Sequence, residues 1–256
     1  MGWAILRDVS APLDDQTHVV VGGGGGIGAA CARLLAARGA RVAVLDLDEA
    51  AVRDVAGELG SGASGAGVDV TDPGSTAGAI AAIASEHGAI HGLVNCAGIT
   101  GQTGMTTHEV DPDDFDLVYR INLKGAFLVS RAVLPGMVEA GYGRIVHIAS
   151  MSGKEGNAGM LAYSATKAGV IGLVKVMGKE YATTGVSVNA VAPGVIRTPL
   201  VDAMPQHQID YMVEKIPMGR TATLEEIAEL VAWIASPAAS FTTGFCFDLS
   251  DGRATY

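Results

Sequence analysis

Tyr163 and Lys167 stand at i and i+4 in the run Tyr163-Ser164-Ala165-Thr166-Lys167, downstream of Ser150. On a helix such positions share a face, one turn apart, so a phenol and an ammonium lie side by side. A phenol with a pKa of about 10 is a weak base at neutral pH. An ammonium at about 4 Å, in an effective dielectric of about 20, favours the phenolate by roughly 4 kcal/mol before desolvation is subtracted. One pKa unit corresponds to about 1.4 kcal/mol, so the spacing predicts a lowered phenol pKa and a Tyr163 that exchanges protons near working pH. A buried tyrosine above a surface lysine would show the same spacing. The surrounding residues decide between the two.

The run Thr17-His18-Val19-Val20-Val21 reads as a buried strand. It leads through Gly22-Gly23-Gly24-Gly25-Gly26-Ile27-Gly28 into a helical stretch that stops at Gly39. Strand, glycine turn and helix together make an anion site: backbone N–H groups and the positive helix end face a phosphate, and glycine lets it approach. Gly23, Gly25 and Gly28 fit one glycine spacing, and Gly22, Gly26 and Gly28 fit another. A flexible glycine linker is the competing reading, and the flanking strand and helix argue against it. No Lys-Ser or Lys-Thr follows the last glycine, which excludes a Walker-type phosphate loop. A second strand pattern, Arg41-Val42-Ala43-Val44-Leu45, ends in Asp46. A carboxylate there accepts hydrogen bonds from an adenine-side ribose and repels a 2′-phosphate, which points to NAD rather than NADP. The same residue can instead cap the helix that opens near Glu49.

Positioning these residues requires a sheet. Strand patterns fall near 17–21, 41–45, 65–68, 91–94, 143–148, 185–190 and 243–248, and helical patterns near 26–38, 49–59, 73–87, 111–119, 122–140, 161–183 and 223–235. Alternation of this kind predicts an α/β fold, a seven-stranded parallel sheet doubly wound with helices on both faces. No linker or repeat divides the chain, so 1–256 reads as a single domain. The stretch 198–220, with Pro199, Pro205 and Pro217, interrupts the alternation.

Taken in order, these residues resemble the short-chain dehydrogenase/reductase family over nearly the whole chain. The glycine segment is similar to the family's Thr-Gly-x-x-x-Gly-x-Gly, with Val21 in place of threonine, and Asn95-Cys96-Ala97-Gly98 to its Asn-Asn-Ala-Gly. The resemblance implies a single-domain Rossmann fold with Asn122, Ser150, Tyr163 and Lys167 as catalytic tetrad. It implies NAD held by Gly22, Gly26, Ile27, Gly28, Asp46, Asp69, Val70, Asn95, Ala97, Gly98, Pro193, Gly194, Ile196 and Thr198, with Tyr163 and Lys167 also touching the cofactor. It further implies a substrate lid near 198–220 and a homotetramer. Within that scheme Ser150 binds the substrate oxygen, Tyr163 transfers the proton, Lys167 lowers its pKa, and Asn122 positions a water linking Lys167 to solvent.

A net charge of −10 does not suit nucleic-acid binding. The three cysteines and six histidines show no metal or redox spacing, so no metal is expected. Cys31, Cys96 and Cys246 read as small buried apolar residues in a reducing compartment. The first sixteen residues carry no basic start followed by an apolar stretch, and no apolar run reaches membrane-spanning length. These observations predict a cytoplasmic enzyme acting on a small molecule. Ser152, Lys154, Glu155 and Asn157 follow Ser150 and give a polar, charged rim, with Ser152, Lys154 and Asn157 as substrate candidates and Lys154 able to pair a carboxylate. This rim, Ile209-Asp210-Tyr211-Met212 and the tail from Asp248 to Tyr256 resemble enzymes that oxidise sugars or 2-keto-3-deoxy sugar acids. If the tail crosses a subunit interface, Arg253 reaches a neighbour's pocket. The second reading is a 3-oxoacyl-thioester reductase with the same tetrad, which Asp46 and the acidic charge disfavour. A non-catalytic nucleotide sensor is a third, disfavoured by the intact tetrad.

Overall fold

The strand Thr17–Val21 (β1) is buried along its full length, as a strand covered on both faces must be. The computed structural model describes residues 13–202 and 205–254. Residues 1–12, 203–204 and 255–256 lie outside the described residues, and with them most of the start read for a leader, part of the lid stretch and the end of the tail.

The other strands are Arg41–Asp46 (β2), Ala63–Gly67 (β3), Gly92–Asn95 (β4), Gly143–Ile148 (β5), Val186–Pro193 (β6) and Cys246–Leu249 (β7). They form one parallel sheet in the order β3-β2-β1-β4-β5-β6-β7. Alternate residues of each strand feed two cores. Val19, Val21, Leu93 and Ile145 pack under Pro73–His87 (α3), Gly125–Ala140 (α5) and Leu161–Glu180 (α7). Val20, Val44, Val94 and Val146 pack under Gly26–Ala37 (α1), Glu49–Leu59 (α2) and Leu224–Ile234 (α10). The period-two alternation of β1 thus serves both layers at once.

Pro112–Tyr119 (α4) runs into α5 through a π-helical turn, Arg120–Lys124, that contains Asn122. The sequence suggests a break here; the chain instead keeps one helical rod with an extra residue in one turn, a device common at functional sites. Pro112–Ala140 is long and apolar enough to cross a membrane, contrary to expectation. Half of its most apolar window is buried inside the protein, so it reads as a core helix. The glycine-rich β3 starts earlier than its composition suggests, because an edge strand needs little side-chain packing. Ser152–Glu155 (α6), Pro199–Asp202 (α8) and Gln206–Glu214 (α9) complete the helices.

Two histidines are fully buried in this frame. His18 stands on β1 against Gly92, where a Cβ would meet its Nδ1 at 2.1 Å. His147 stands on β5 between Asn95 and Ser130. Burial lowers both to about 3, assisted by His91 for His18 and by Lys167 for His147. The unfolded imidazoles titrate near 6.5, so their contribution to stability is complete above that pH and is lost progressively as pH falls from 6.5 toward 3. We therefore expect the ring resonances of His18 and His147 not to titrate between pH 8 and 5 in NMR spectra of the folded protein, while the urea midpoint drops over the acid part of that range. A midpoint near 6.5 for either ring would contradict the packing described.

Candidate active site

The strand order reverses between β1 and β4, which opens a crevice at the C-terminal ends of the strands. Two cavities of about 410 Å³ each occupy it. They share Cys96, Gly98 and Ile99 as a common wall.

The first cavity lies over β1 and β2. Gly22, Asp46, Leu47, Asp69, Val70 and Ala97 line it, and no lysine or arginine does among the described residues. Gly22 and Gly26 have φ of +73° and +50°, and a Cβ on Gly28 would meet the Gly22 carbonyl oxygen at 2.0 Å. The spacing Gly22, Gly26, Gly28 is therefore the one the turn uses. The first turn of α1 carries no acidic residue and no side-chain cap, so its N–H groups stay available to an anion. Asp46 Oδ2 accepts from the Gly24 N–H at 3.0 Å and Oδ1 from the Asp48 N–H at 3.3 Å. Asp48, not Asp46, caps α2, accepting from Ala50 and Ala51. This leaves the Asp46 carboxylate on the cavity wall with acceptor capacity.

The second cavity lies over β5 and β6 and brings together Ser150, Ser152, Asn157, Tyr163, Lys167, Pro193, Gly194, Ile196 and Thr198, with Ile27 at its edge. Ser150 follows β5, and its Oγ accepts from the Ser152 N–H at 3.1 Å. Its hydroxyl also hydrogen-bonds Tyr163. Lys167 is buried and donates to the Ile148 carbonyl at 2.6 Å. Its Nζ lies 5.7 Å from the centre of the Tyr163 ring.

The electrostatics differ from the sequence expectation. Burial pushes the Tyr163 phenol above its usual value, and the Ser150 hydrogen bond only offsets part of this. Burial also lowers Lys167 to about 8. Both groups are driven toward neutrality because one desolvated wall holds them both, and this desolvation, which the spacing alone does not give, outweighs the attraction between them.

Asn122 lines neither cavity and lies behind their shared wall. It is buried, donating to the Ile99 carbonyl at 2.9 Å and to Thr166 Oγ1 at 3.2 Å, and accepting from the Ile99 N–H at 2.8 Å. A Cβ on Gly98 would meet Asn122 Oδ1 and Lys167 Nζ, each at 3.2 Å, so glycine there lets the three groups converge. Asn95 is held from the side. Ser130 donates to the Ala126 carbonyl, so His147 Nε2–H donates to Ser130, and His147 Nδ1 accepts from Asn95 Nδ2 at 3.2 Å. Asn95 Oδ1 then accepts from the Ala97 N–H and shapes the loop after β4. His147 is thus a positioning group, although the sequence presents it as one more buried histidine.

Lys154 departs from its expected place. It pairs with Asp248 at 2.9 Å and is absent from the wall of the Ser150–Tyr163 cavity. One short helical turn, α6, carries Ser152 toward the cavity and Lys154 toward β7. Arg253 lines the Ser150–Tyr163 cavity of its own chain. Met160, Val201 and Met212 complete the apolar wall; Val201 and Met212 belong to the stretch 198–220, whereas no sequence signal marked Met160. Cys96 lines both cavities; its hydrogen bond with Cys31 and its burial raise the thiol well above its usual range, which keeps it protonated.

A family model described as enoyl-(acyl carrier protein) reductase matches residues 22–252. The chain is 44% identical over 238 residues to the 2-dehydro-3-deoxy-L-rhamnonate dehydrogenase (NAD(+)) of Sphingomonas sp. (strain SKA58), covering 93% of this chain and 95% of that protein. It is 38% identical over 240 residues to the 3-oxoacyl-[acyl-carrier-protein] reductase FabG of Vibrio cholerae serotype O1 (strain ATCC 39315 / El Tor Inaba N16961), covering 94% and 98%. The crystal structure of gox2181 superposes with a TM-score of 0.92 at 35% identity, covering 96% of this chain and 98% of that one. With the reversed strand order, the glycine turn and the Ser150–Tyr163–Lys167 cluster, these matches place the chain in the short-chain dehydrogenase/reductase family, oxidoreductases acting on CH–OH groups.

Proposed function

We propose that this protein is an NAD-dependent dehydrogenase that interconverts a secondary alcohol and a ketone on a sugar, polyol or 2-keto-3-deoxy sugar acid. The observation that carries the reading is the convergence of Ser150, Tyr163 and Lys167 on a cavity that Ser152, Asn157 and Arg253 also line. The residues fit the cofactor. Gly22, Gly26, Ile27 and Gly28 would hold its pyrophosphate, Asp46 its adenine-side ribose, and Asp69 with Val70 its adenine. Asn95, Ala97, Gly98, Pro193, Gly194, Ile196 and Thr198 would shape the nicotinamide side. Two carboxylates and no cation border the adenine-side cavity among the described residues, which favours NAD over its 2′-phosphorylated form. The Sphingomonas relative carries NAD(+) in its name, which agrees.

When bound, the cofactor supplies the hydride acceptor. The remaining work belongs to the chain. Ser150 Oγ donates a hydrogen bond to the substrate oxygen, whose charge changes along the reaction. Tyr163 Oη, as the phenolate, takes the hydroxyl proton and becomes the neutral phenol as the carbon–oxygen bond becomes a carbonyl. Lys167 places positive charge behind the phenol. Asn122 is a positioning residue that fixes Ile99 and the π-helical turn against α7. Val201 and Met212, from α8 and α9, cover the cavity, so the stretch 198–220 acts as the lid.

Reduction of a 3-oxoacyl thioester uses the same tetrad, and the FabG likeness keeps it as the second reading. The free thiols Cys31, Cys96 and Cys246 support a cytoplasmic setting. A homotetramer is supported by α5 and α7, which expose Phe127, Val138 and Val176 around an apolar groove of about 680 Å³. Light scattering should report an assembly, and a monomer of 26.0 kDa would contradict this.

Absorbance at 340 nm tests the main reading, with NAD⁺ and NADP⁺ in parallel over sugars, sugar acids, polyols and hydroxyacyl thioesters. We expect turnover with NAD⁺ on a sugar, polyol or sugar acid, and a loss of about 100-fold or more in kcat for Tyr163→Phe with NADH binding retained. Full turnover by Tyr163→Phe would remove the acid–base assignment. Activity confined to thioesters or to NADP⁺ would overturn the substrate or cofactor assignment.

A further inference from the structure

We propose that Arg253, carried on the C-terminal tail, is a specificity-determining residue that binds a carboxylate on the substrate. This rests on the reading of the Ser150–Tyr163 cavity as the substrate site. Lys167 and Arg253 are the two cations on the wall of that cavity, and no aspartate or glutamate lines it among the described residues. Lys167 is buried and committed to the Ile148 carbonyl at the reacting end. Arg253 therefore sets the charge of the far end.

The tail is built to hold it there. β7 pairs with β6 through Ala192–Asp248 and Pro193–Leu249, which anchors the tail beside the cavity. Ser250 then closes a tight turn: its hydroxyl donates to Asp248 and accepts from the Ala254 N–H at 2.8 Å, while the Arg253 N–H donates to the Ser250 carbonyl at 3.1 Å. Ala254 is buried, so the turn is pinned on both sides of Arg253.

The guanidinium sits among polar partners from the loop after β5. Nη2 donates to Asn157 Oδ1 at 3.2 Å, and Asn157 Nδ2 donates to Ser152 Oγ at 2.7 Å. Nε lies 3.3 Å from Glu155 Oε2, and Glu155 is not among the cavity-lining residues. A guanidinium has five N–H donors, more than these two partners use. The remaining face suits a carboxylate in two-pronged geometry, which a lysine would not match. With no acid lining the cavity itself, an anionic group at this end is matched in charge by the donors that Glu155 and Asn157 leave free, whereas a neutral or apolar one leaves those donors unsatisfied.

The test compares Arg253→Gln and Arg253→Lys with the parent enzyme on 4-hydroxycyclohexanecarboxylate and its methyl ester, and on aldonates and the corresponding alditols, with NAD⁺. We expect Arg253→Gln to lower the acid-to-neutral ratio of kcat/KM by roughly 30-fold or more, mostly through KM. We expect Arg253→Lys to recover part of it, and added guanidinium to restore acid turnover in Arg253→Gln. Equal losses on acids and neutral counterparts would mean that Arg253 only braces the tail, and would overturn the proposal. Parent enzyme that turns over neutral alcohols or thioesters but no carboxylate would overturn it while leaving the hydride-transfer reading intact. Absence of turnover on every substrate with either cofactor would remove that reading and the proposal with it.

Discussion

Burial of Lys167 is the constraint on which the site depends. An ammonium taken out of water needs a partner, and here it has the Ile148 carbonyl at the end of β5. That contact requires β5 to end where it does and α7 to cross close above it. Glycine at position 98 eases the contact, because a Cβ there would crowd Nζ at 3.2 Å. The same burial that orders the lysine lowers its pKa to about 8 and raises that of Tyr163. The free protein thus holds a protonated phenol beside an ammonium that gives up its proton more readily than usual, and the phenol becomes a working base only when further charge and hydrogen bonding arrive with the reactants. This differs from a preformed tyrosinate beside a lysine, and it follows from desolvation outweighing a charge that is not in direct contact.

The scaffold serves this wall from several directions. The π-helical turn brings Asn122 to Ile99 and Thr166, tying the loop after β4 to α7. His147 and Ser130 hold Asn95 from within the sheet and so shape the same loop from beneath. β6 runs on to Pro193, longer than its valine-rich part, because its last residues pair with β7. That extension sets both the loop at Gly194 and the position of the tail. The two cavities share a wall because the strand order reverses between β1 and β4.

Most of this frame is legible in the sequence. Valine-rich runs separated by helical stretches fix a parallel sheet, and the glycine turn before α1 needs no tertiary information. Asp46 is also legible, although only the structure shows Asp48 capping α2 and Asp46 facing the cavity. What stays hidden depends on direction and distance. Lys154 and Asn157 lie three residues apart in one polar loop, yet one pairs with Asp248 and the other faces the cavity. Arg253 comes from the far end of the chain, and its place follows from the pairing of β7, which local patterning does not give. The π-helical turn escapes as well, because one extra residue in a helix barely disturbs its periodicity.

The central claim is that Tyr163 is poised rather than ionised, and that its titration is governed by what enters the site. Ultraviolet difference titration of the phenolate, comparing the parent protein with Tyr163→Phe, reads this directly. In the free protein the Tyr163 signal should appear only above pH 10, and it should move to lower pH when NAD⁺ is added. A Tyr163 phenolate already present at pH 7 without NAD⁺, or a titration that NAD⁺ leaves in place, would contradict the account.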